Sequence, residues 1–380
     1  MGLISFPGNA GPRNVLGLMS GTSLDGLDMG LYQIEGSGAD VQMKQLAFGC
    51  TPYPTELRTK IRAAFAGDTS LICALNVELG QFYANESALF LDQLGSLGQV
   101  DLVGMHGQTV YHIPGHSSLQ IGDPSFLAQQ LNVPVVYDFR SADIAAGGHG
   151  APLVPYLDRL FYRSTTESLV LQNLGGIGNL TYLPKDSNQP LIAFDTGPAN
   201  GILNELAHQI TKGEQEYDHD GKISASGVVQ SDLLETLLQH DYFGEKPPKS
   251  TGREDFGFQF VSELLEKFPM RKPEDLMATL CELVAQSLRL SYQQHLPEVD
   301  KVYLTGGGAL NPDLVARIKQ AIKPIVLEDL PPNPAFDLDS KEAAAFALFA
   351  HERLNNHRTN LPEVTGACRP VCLGKIALPS

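Results

Sequence analysis

Three short turns concentrate the residue types that could do chemistry. The first reads Gly17-Leu18-Met19-Ser20-Gly21-Thr22-Ser23-Leu24-Asp25-Gly26-Leu27-Asp28. Small residues let backbone N–H groups approach an anion, hydroxyls add donors, and carboxylates hold a metal ion through water. The same chemistry returns at Asn173-Leu174-Gly175-Gly176-Ile177-Gly178-Asn179 and again at Gly306-Gly307-Gly308. Each turn alone is more often a Gly-rich hairpin or a tight packing point than a phosphate clamp. The chain contains no GxxxxGK[ST] string, so no Walker A loop is present. None of the three turns follows GxGxxG, which disfavours a dinucleotide-binding Rossmann site. Together, three such turns spread over two α/β lobes point to phosphates held between the lobes, with a nucleobase near Gly306–Gly308.

Asp195 follows the apolar run Leu191–Phe194 and precedes Thr196-Gly197-Pro198. A carboxylate at the end of a strand facing a cleft is placed as a general base. The alternative is a turn or helix cap for the segment from Asn200, and spacing alone does not separate the two. His106-Gly107-Gln108-Thr109 and Asp138-Phe139-Arg140-Ser141-Ala142-Asp143 also follow apolar runs. Their polar groups suit the hydroxyls and amide of a sugar, with Arg140 pairing a carboxylate. Taken singly, each suits somewhat better a loop stitched together by its own hydrogen bonds, but both fall on the same relative edge of successive strands.

The elements that must position these residues come in two rounds. Asn14–Met19, Leu27–Ile34 and 42–49 read as successive strands, and 54–66 and 75–94 as helices. Leu102–His106 and Val133–Tyr137 are further strands. The pattern then restarts with strands at 168–172, 179–182 and 191–194, a helix at 200–208, and a long helix at Pro273–His295. A strand at Lys301–Thr305 enters the Gly306 turn, and a helix follows from Asn311. A last helix covers 341–353. Strand and helix alternate in both rounds, so the expected class is α/β with two lobes, 1–140 and 141–380. The extreme C-terminus is expected to pack back on the N-terminal lobe.

Composition limits the function. The 380 residues are 43% hydrophobic and 18% charged, enough apolar content for a real core and too little charge for disorder. A net charge of −16 argues against a general nucleic-acid binder and against attachment to anionic lipid. No apolar run approaches the ~20 residues of a membrane span. The N-terminal stretch lacks the pattern of a signal peptide. Five scattered cysteines make neither a disulfide framework nor a zinc site, so a reducing cytoplasm is expected. No GxSxG elbow is present, which leaves an α/β-hydrolase without its nucleophile.

The strings GLMSGTSLDGLD at Gly17–Asp28, HGQT at His106–Thr109, DFRSADIAAGGHGAPLVP at Asp138–Pro155, FDTGPAN at 194–200, PKSTGRE at 248–254 and VTG at 364–366 resemble the anhydro-N-acetylmuramic acid kinase family, in that family's order. The resemblance runs from about residue 14 to 375. It implies a two-lobe actin-like ATPase, or ribonuclease H-like, fold with an interlobe cleft. It also implies an ATP- and Mg²⁺-dependent kinase that opens the anhydro ring of 1,6-anhydro-N-acetylmuramic acid with water and phosphorylates O6, in cell-wall recycling. Asp195 is then the base. Gly21, Thr22, Ser23, Leu24, Asp25, Gly26, Leu27 and Asp28 hold ATP phosphates, with Asp25 and Asp28 positioning Mg²⁺ through water. Asn173, Gly175, Gly176 and Gly178 clamp the phosphates from the other lobe, and Gly306, Gly307 and Gly308 lie against the adenosine. His106, Gln108, Thr109, Arg140, Asp143 and Glu342 are the implied sugar contacts. A homodimer is implied, without nucleic-acid or membrane partners. The chain departs from the family string at Ala199, where Gly is expected. A non-catalytic actin-like nucleotide-binding protein is the alternative, although such a protein has no need of Asp195 or the sugar-side strings. A glycoside hydrolase would need paired carboxylates but not three phosphate-type turns.

Overall fold

The computed structural model describes residues 11–21 and 24–379. The expected phosphate-binding residues Thr22 and Ser23 therefore lie outside the described residues. The strands are β1 (Arg13–Ser20), β2 (Gly26–Glu35), β3 (Gln42–Pro52), β4 (Leu102–Ile113), β5 (Ser117–Ile121), β6 (Val135–Tyr137), β7 (Leu169–Leu174), β8 (Ile177–Leu183), β9 (Ile192–Pro198), β10 (Lys301–Thr305), β11 (Val326–Glu328) and β12 (Lys375–Ala377). They divide between two compact units, Met1–Phe161 with Pro332–Ser380, and Tyr162–Pro331. The first unit thus runs past 140 and takes back the last 49 residues, where β12 pairs antiparallel with β6.

In the first unit the sheet order is β12-β6-β4-β1-β2-β3, with β5 paired to β4. β1, β2 and β3 are an antiparallel meander; β4 runs parallel to β1, and β6 parallel to β4. In the second unit the order is β11-β10-β7-β8-β9, again an antiparallel meander from β7 to β9 with β10 parallel to β7 and β11 parallel to β10. Both sheets therefore carry the order 3-2-1-4-5, the ribonuclease H-like arrangement, once in each unit. The parallel strands β6, β10 and β11 are short and mostly apolar, whereas β4, parallel to β1, runs from Leu102 to Ile113 and carries His106, Gln108 and Thr109.

One helix in the first unit owes its closeness to small residues. Lys341–Leu354 is buried along Ala343-Ala344-Ala345-Phe346-Ala347-Leu348-Phe349-Ala350. A Cβ on Gly17 of β1 would meet the Ala343 carbonyl, and one on Gly104 of β4 the Phe346 carbonyl. The helix backbone thus rests directly on the two strands that carry the Ser20 and His106 ends. In the second unit the Pro273–His295 helix supplies the central apolar face. Leu276, Leu280, Leu283, Val284 and Leu288 are fully buried there, each worth roughly 2 kcal/mol. Proline in its first turn fits because its missing N–H is not needed there.

Candidate active site

In the first unit β1 ends at Ser20 and β2 begins at Gly26. Leu24 has φ of 63°, a left-handed conformation that is unfavourable for a branched side chain, and it is held by burial in the apolar core. Its N–H donates to the Gly21 carbonyl at 3.3 Å. Asp25 is exposed and Asp28 half-buried. Burial pushes the Asp28 carboxyl up, with a hydrogen bond from the Cys50 thiol opposing and Asp25 and Asp339 adding to the rise. Two carboxylates that repel one another beside a Gly turn are a donor set a cation would relieve, and a Mg²⁺ held mainly by phosphate and water needs only one or two. Among the described residues no group of three His, Cys, Asp or Glu side chains could hold a metal directly.

The string His106–Thr109 lies inside β4 rather than beyond its end, because β4 continues to Ile113 by pairing with β5, a hairpin the sequence pattern does not announce. Gln108 is fully buried; its Nε2 donates to the Gly21 and Thr109 carbonyls at 3.2 and 3.3 Å, and Tyr53 donates to its Oε1. It braces the chain at Gly21. Thr109 accepts from Gln120 at 3.1 Å. Arg140 donates to the Gly150 carbonyl at 2.8 Å and lies 2.9 Å from His106 Nε2. Because a guanidinium cannot accept, His106 Nε2 must be the acceptor, and the imidazole is neutral. Burial and the Arg140 charge both hold its pKa well down. Burial lowers Arg140 to about 10, while Glu342 and Asp143 hold it up. Glu342 is exposed in the first turn of Lys341–Leu354. Asp143 is fully buried and spent: it accepts from the Gly150 N–H at 2.8 Å, and from Asn360 Nδ2 and Thr365 Oγ1 at 2.7 Å each. Its oxygens tie the 138–155 segment to the C-terminal VTG segment, which suits a scaffold better than a sugar contact.

In the second unit two of the three turns come together. β10 pairs with β7 so that Thr305 stands opposite Asn173. Gly306 has φ of 79°, and a Cβ there would strike Asn173 Oδ1 and the Leu174 carbonyl. Only glycine lets the two turns nest. The Gly175 and Gly176 carbonyls accept from the N–H groups of Asn200 and Gly201 at 2.9 and 3.1 Å, which bolts the turn to the head of the Asn200–Ile210 helix. Gln172, fully buried, donates to the carbonyls of Asn173 and Asn179 and to Thr196, and so stiffens the turn from beneath.

Asp195 is not at a strand end. β9 runs on to Pro198 because its pairing with β8 continues past Asp195, which stands opposite Asn179 next to a register shift. Nor does it cap the following helix, whose N-cap Ala199 makes no side-chain bond and whose first N–H groups go to the Gly turn. Ala199 has φ of −141°, so the position does not demand glycine. Asp195 Oδ2 accepts from the Thr251 N–H at 3.1 Å. Its backbone carbonyl accepts from the Tyr242 hydroxyl at 2.6 Å, and its N–H donates to the Lys249 carbonyl at 3.3 Å. Burial pushes its pKa up to about 6; the Thr251 N–H opposes, Glu254 adds, and Lys249 opposes. A buried carboxylate whose pKa is pushed up toward neutrality has the chemistry of a general base. Sequence reasoning had no role for Tyr242, Lys249 or Thr251. The PKSTGRE string pointed to two of them, but their contact with Asp195 spans 47 to 56 residues.

The sequence profile of the anhydro-N-acetylmuramic acid kinase family matches residues 13–379. An anhydro-N-acetylmuramic acid kinase of Caldanaerobacter subterraneus subsp. tengcongensis is 42% identical over 97% of this chain and 98% of that protein. Another, from Bacillus cereus strain G9842, is 42% identical over 96% of this chain and 99% of that protein. Among solved structures, the (R)-2-hydroxyglutaryl-CoA dehydratase component A of Acidaminococcus fermentans superposes with a TM-score of 0.42 and 11% identity, over 90% of this chain and 99% of that chain, a likeness too distant to argue from. The family match spans nearly the whole chain, and relatives of that name share 42% of their residues with it: this protein belongs to the anhydro-N-acetylmuramic acid kinase family and is a sugar kinase.

Proposed function

We propose that the enzyme uses ATP and water to convert 1,6-anhydro-N-acetylmuramic acid to N-acetylmuramic acid 6-phosphate and ADP, as part of cell-wall recycling. The observation that carries this reading is Asp195, a carboxylate raised to about 6 and gripped at its N–H, its carbonyl and its Oδ2. O6 of the anhydro sugar is an ether oxygen and has no proton for a base to remove. The base must act on water instead. Asp195 takes a proton from water as the water oxygen bonds to C1; the C1–O6 bond breaks, and O6 bonds to the γ-phosphorus as the bond to ADP breaks.

The turn at Gly21–Asp28 would hold the ATP phosphates, braced by Gln108. The Asn173–Gly178 turn would clamp them, and Gly306–Gly308 would lie against the adenosine. Asp25 and Asp28 would hold Mg²⁺ through water, where the ion would neutralise charge on the transferring phosphoryl group. His106, Thr109, Arg140 and Glu342 remain the sugar-side groups, whereas Asp143 holds their segment in place. Free thiols exposed at Cys50, Cys73 and Cys368 suit a reducing cytoplasm, and a homodimer is the proposed assembly, to be read by analytical sedimentation.

The test is ADP release with 1,6-anhydro-N-acetylmuramic acid, ATP and Mg²⁺, for wild type and Asp195→Asn. Wild type is expected to turn over. The variant is expected to bind ATP and lose at least about 10²-fold in kcat, the range for removal of a general base. A wild type that binds ATP but is silent with this sugar refutes the substrate; a variant that keeps most of its activity refutes the base.

A further inference from the structure

Asp195 is gripped by one stretch of chain, 242–251. Tyr242 holds its carbonyl, Lys249 its N–H and Thr251 its carboxylate. The stretch is closed on itself by a side chain: Lys249 Nζ donates to the Tyr242 carbonyl at 3.1 Å. The same ammonium lies 4.5 Å from the Tyr242 ring centroid and 5.8 Å from that of Phe194, the residue before Asp195. Lys249 is only 8% exposed. A lysine that far from water is expensive unless its charge is used. The anions acting on it are Glu245 and Asp195. The other titratable groups around the pair are Glu254 beside Asp195, Asp255 beside Tyr242, and His295, which faces Lys249 and Lys246 and is held neutral chiefly by burial. Lys249 thus stands among an excess of carboxylates, of which Glu254 disfavours the ionised form of Asp195.

We propose that Lys249 is the positioning residue of Asp195: its ammonium closes the 242–251 stretch into the grip that aims the carboxylate, and its charge keeps that carboxylate ionised beside Glu254. This rests on Asp195 being the base. Two functions of one ammonium can be separated by chemistry. Lys249→Gln keeps an N–H donor for the Tyr242 carbonyl and removes the charge. Lys249→Arg keeps both.

The experiment is the pH profile of kcat/KM for wild type, Lys249→Gln and Lys249→Arg, together with the ¹³C carboxyl titration of Asp195, assigned by difference from Asp195→Asn. In wild type the acid limb is expected near pH 6. In Lys249→Gln it should move up by about one unit, so that the loss of rate at pH 6 exceeds the loss at pH 8 about fivefold. Lys249→Arg should return the midpoint to the wild-type value. The carboxyl titration, which needs no turnover, should move with the acid limb. An unmoved Asp195 titration in Lys249→Gln, or an equal shift in Lys249→Arg, overturns the assignment. A shifted titration with an active Asp195→Asn means that Lys249 does control Asp195 but that the base lies elsewhere, so the two readings fail separately.

Discussion

Replacing Asp195 by Asn should cripple the enzyme and stabilise the protein. The folded-state pKa is about 6, against an ordinary value of 3.8. Burial is the largest cause, so the folded protein holds a proton that the unfolded chain gives up. Ionising Asp195 therefore opposes folding. The penalty is absent below the unfolded value, grows as pH rises through the window between the two, and is complete above about pH 6. From these two values it is about 1.6 kcal/mol at pH 5 and about 3 kcal/mol at pH 8. Asparagine has no charge to desolvate, and its Oδ1 still accepts from Thr251. The raised pKa already includes the Thr251 hydrogen bond to the ionised form, so that bond is not subtracted again. The expected gain is therefore about 3 kcal/mol at pH 8 and about 1.6 kcal/mol at pH 5. For a unit the size of 162–331 this is a rise in Tm of roughly 6–12 °C at pH 8, shrinking to roughly 3–6 °C at pH 5. Thermal unfolding of both proteins across that range reads the difference. A variant less stable than wild type at pH 8, or a gain that does not change with pH, would refute the argument that burial raises the carboxyl.

Three further perturbations separate scaffold from chemistry. Asp143→Ala strips acceptors from Gly150, Asn360 and Thr365, and should destabilise the fold by about 3 kcal/mol or more, read by urea unfolding; an unchanged midpoint would return Asp143 to the sugar contacts. Gly104→Ala drives a methyl group into the Phe346 carbonyl and should cost about 2 kcal/mol or more, whereas Gly244→Ala, which meets nothing within 4 Å, should be near neutral in the same assay. Tyr242→Phe leaves the Asp195 carbonyl without its donor; kcat should fall while the acid limb stays near pH 6, because the charges acting on the carboxylate are unchanged. A moved limb would show that Tyr242 tunes the charge rather than the position.

Much of the fold was legible because its signals are local. Strands β1, β2, β7 and β10 are apolar runs closed by Gly turns, and the Pro273–His295 helix carries its apolar face and its N-terminal proline in the open. Where the reading stopped short, partners were the reason. β4 extends through His106–Thr109 only because β5 pairs with it, and β9 extends through Asp195 only because β8 does. A polar stretch read alone resembles a loop; beside a strand whose N–H and C=O groups need partners it becomes a strand. The first unit's boundary at Phe161, and its recovery of 332–380, likewise depend on contacts between residues hundreds of positions apart.

The amino-acid sequence by itself determined the α/β class, the three Gly-rich turns, the identity of Asp195 as the carboxylate to watch and, through its strings, the family. These are matters of residue type and short spacing, which a linear chain displays. Tertiary structure decided what each polar group is free to do. Asp143 and Gln108 have the composition of ligand-binding residues, yet their hydrogen-bonding capacity is taken up inside the protein. Lys249 has the composition of a surface residue, yet it is buried against Tyr242 and Phe194. The role of a polar side chain depends on which donors, acceptors and charges remain unsatisfied around it, and that balance exists only once distant segments have been brought together.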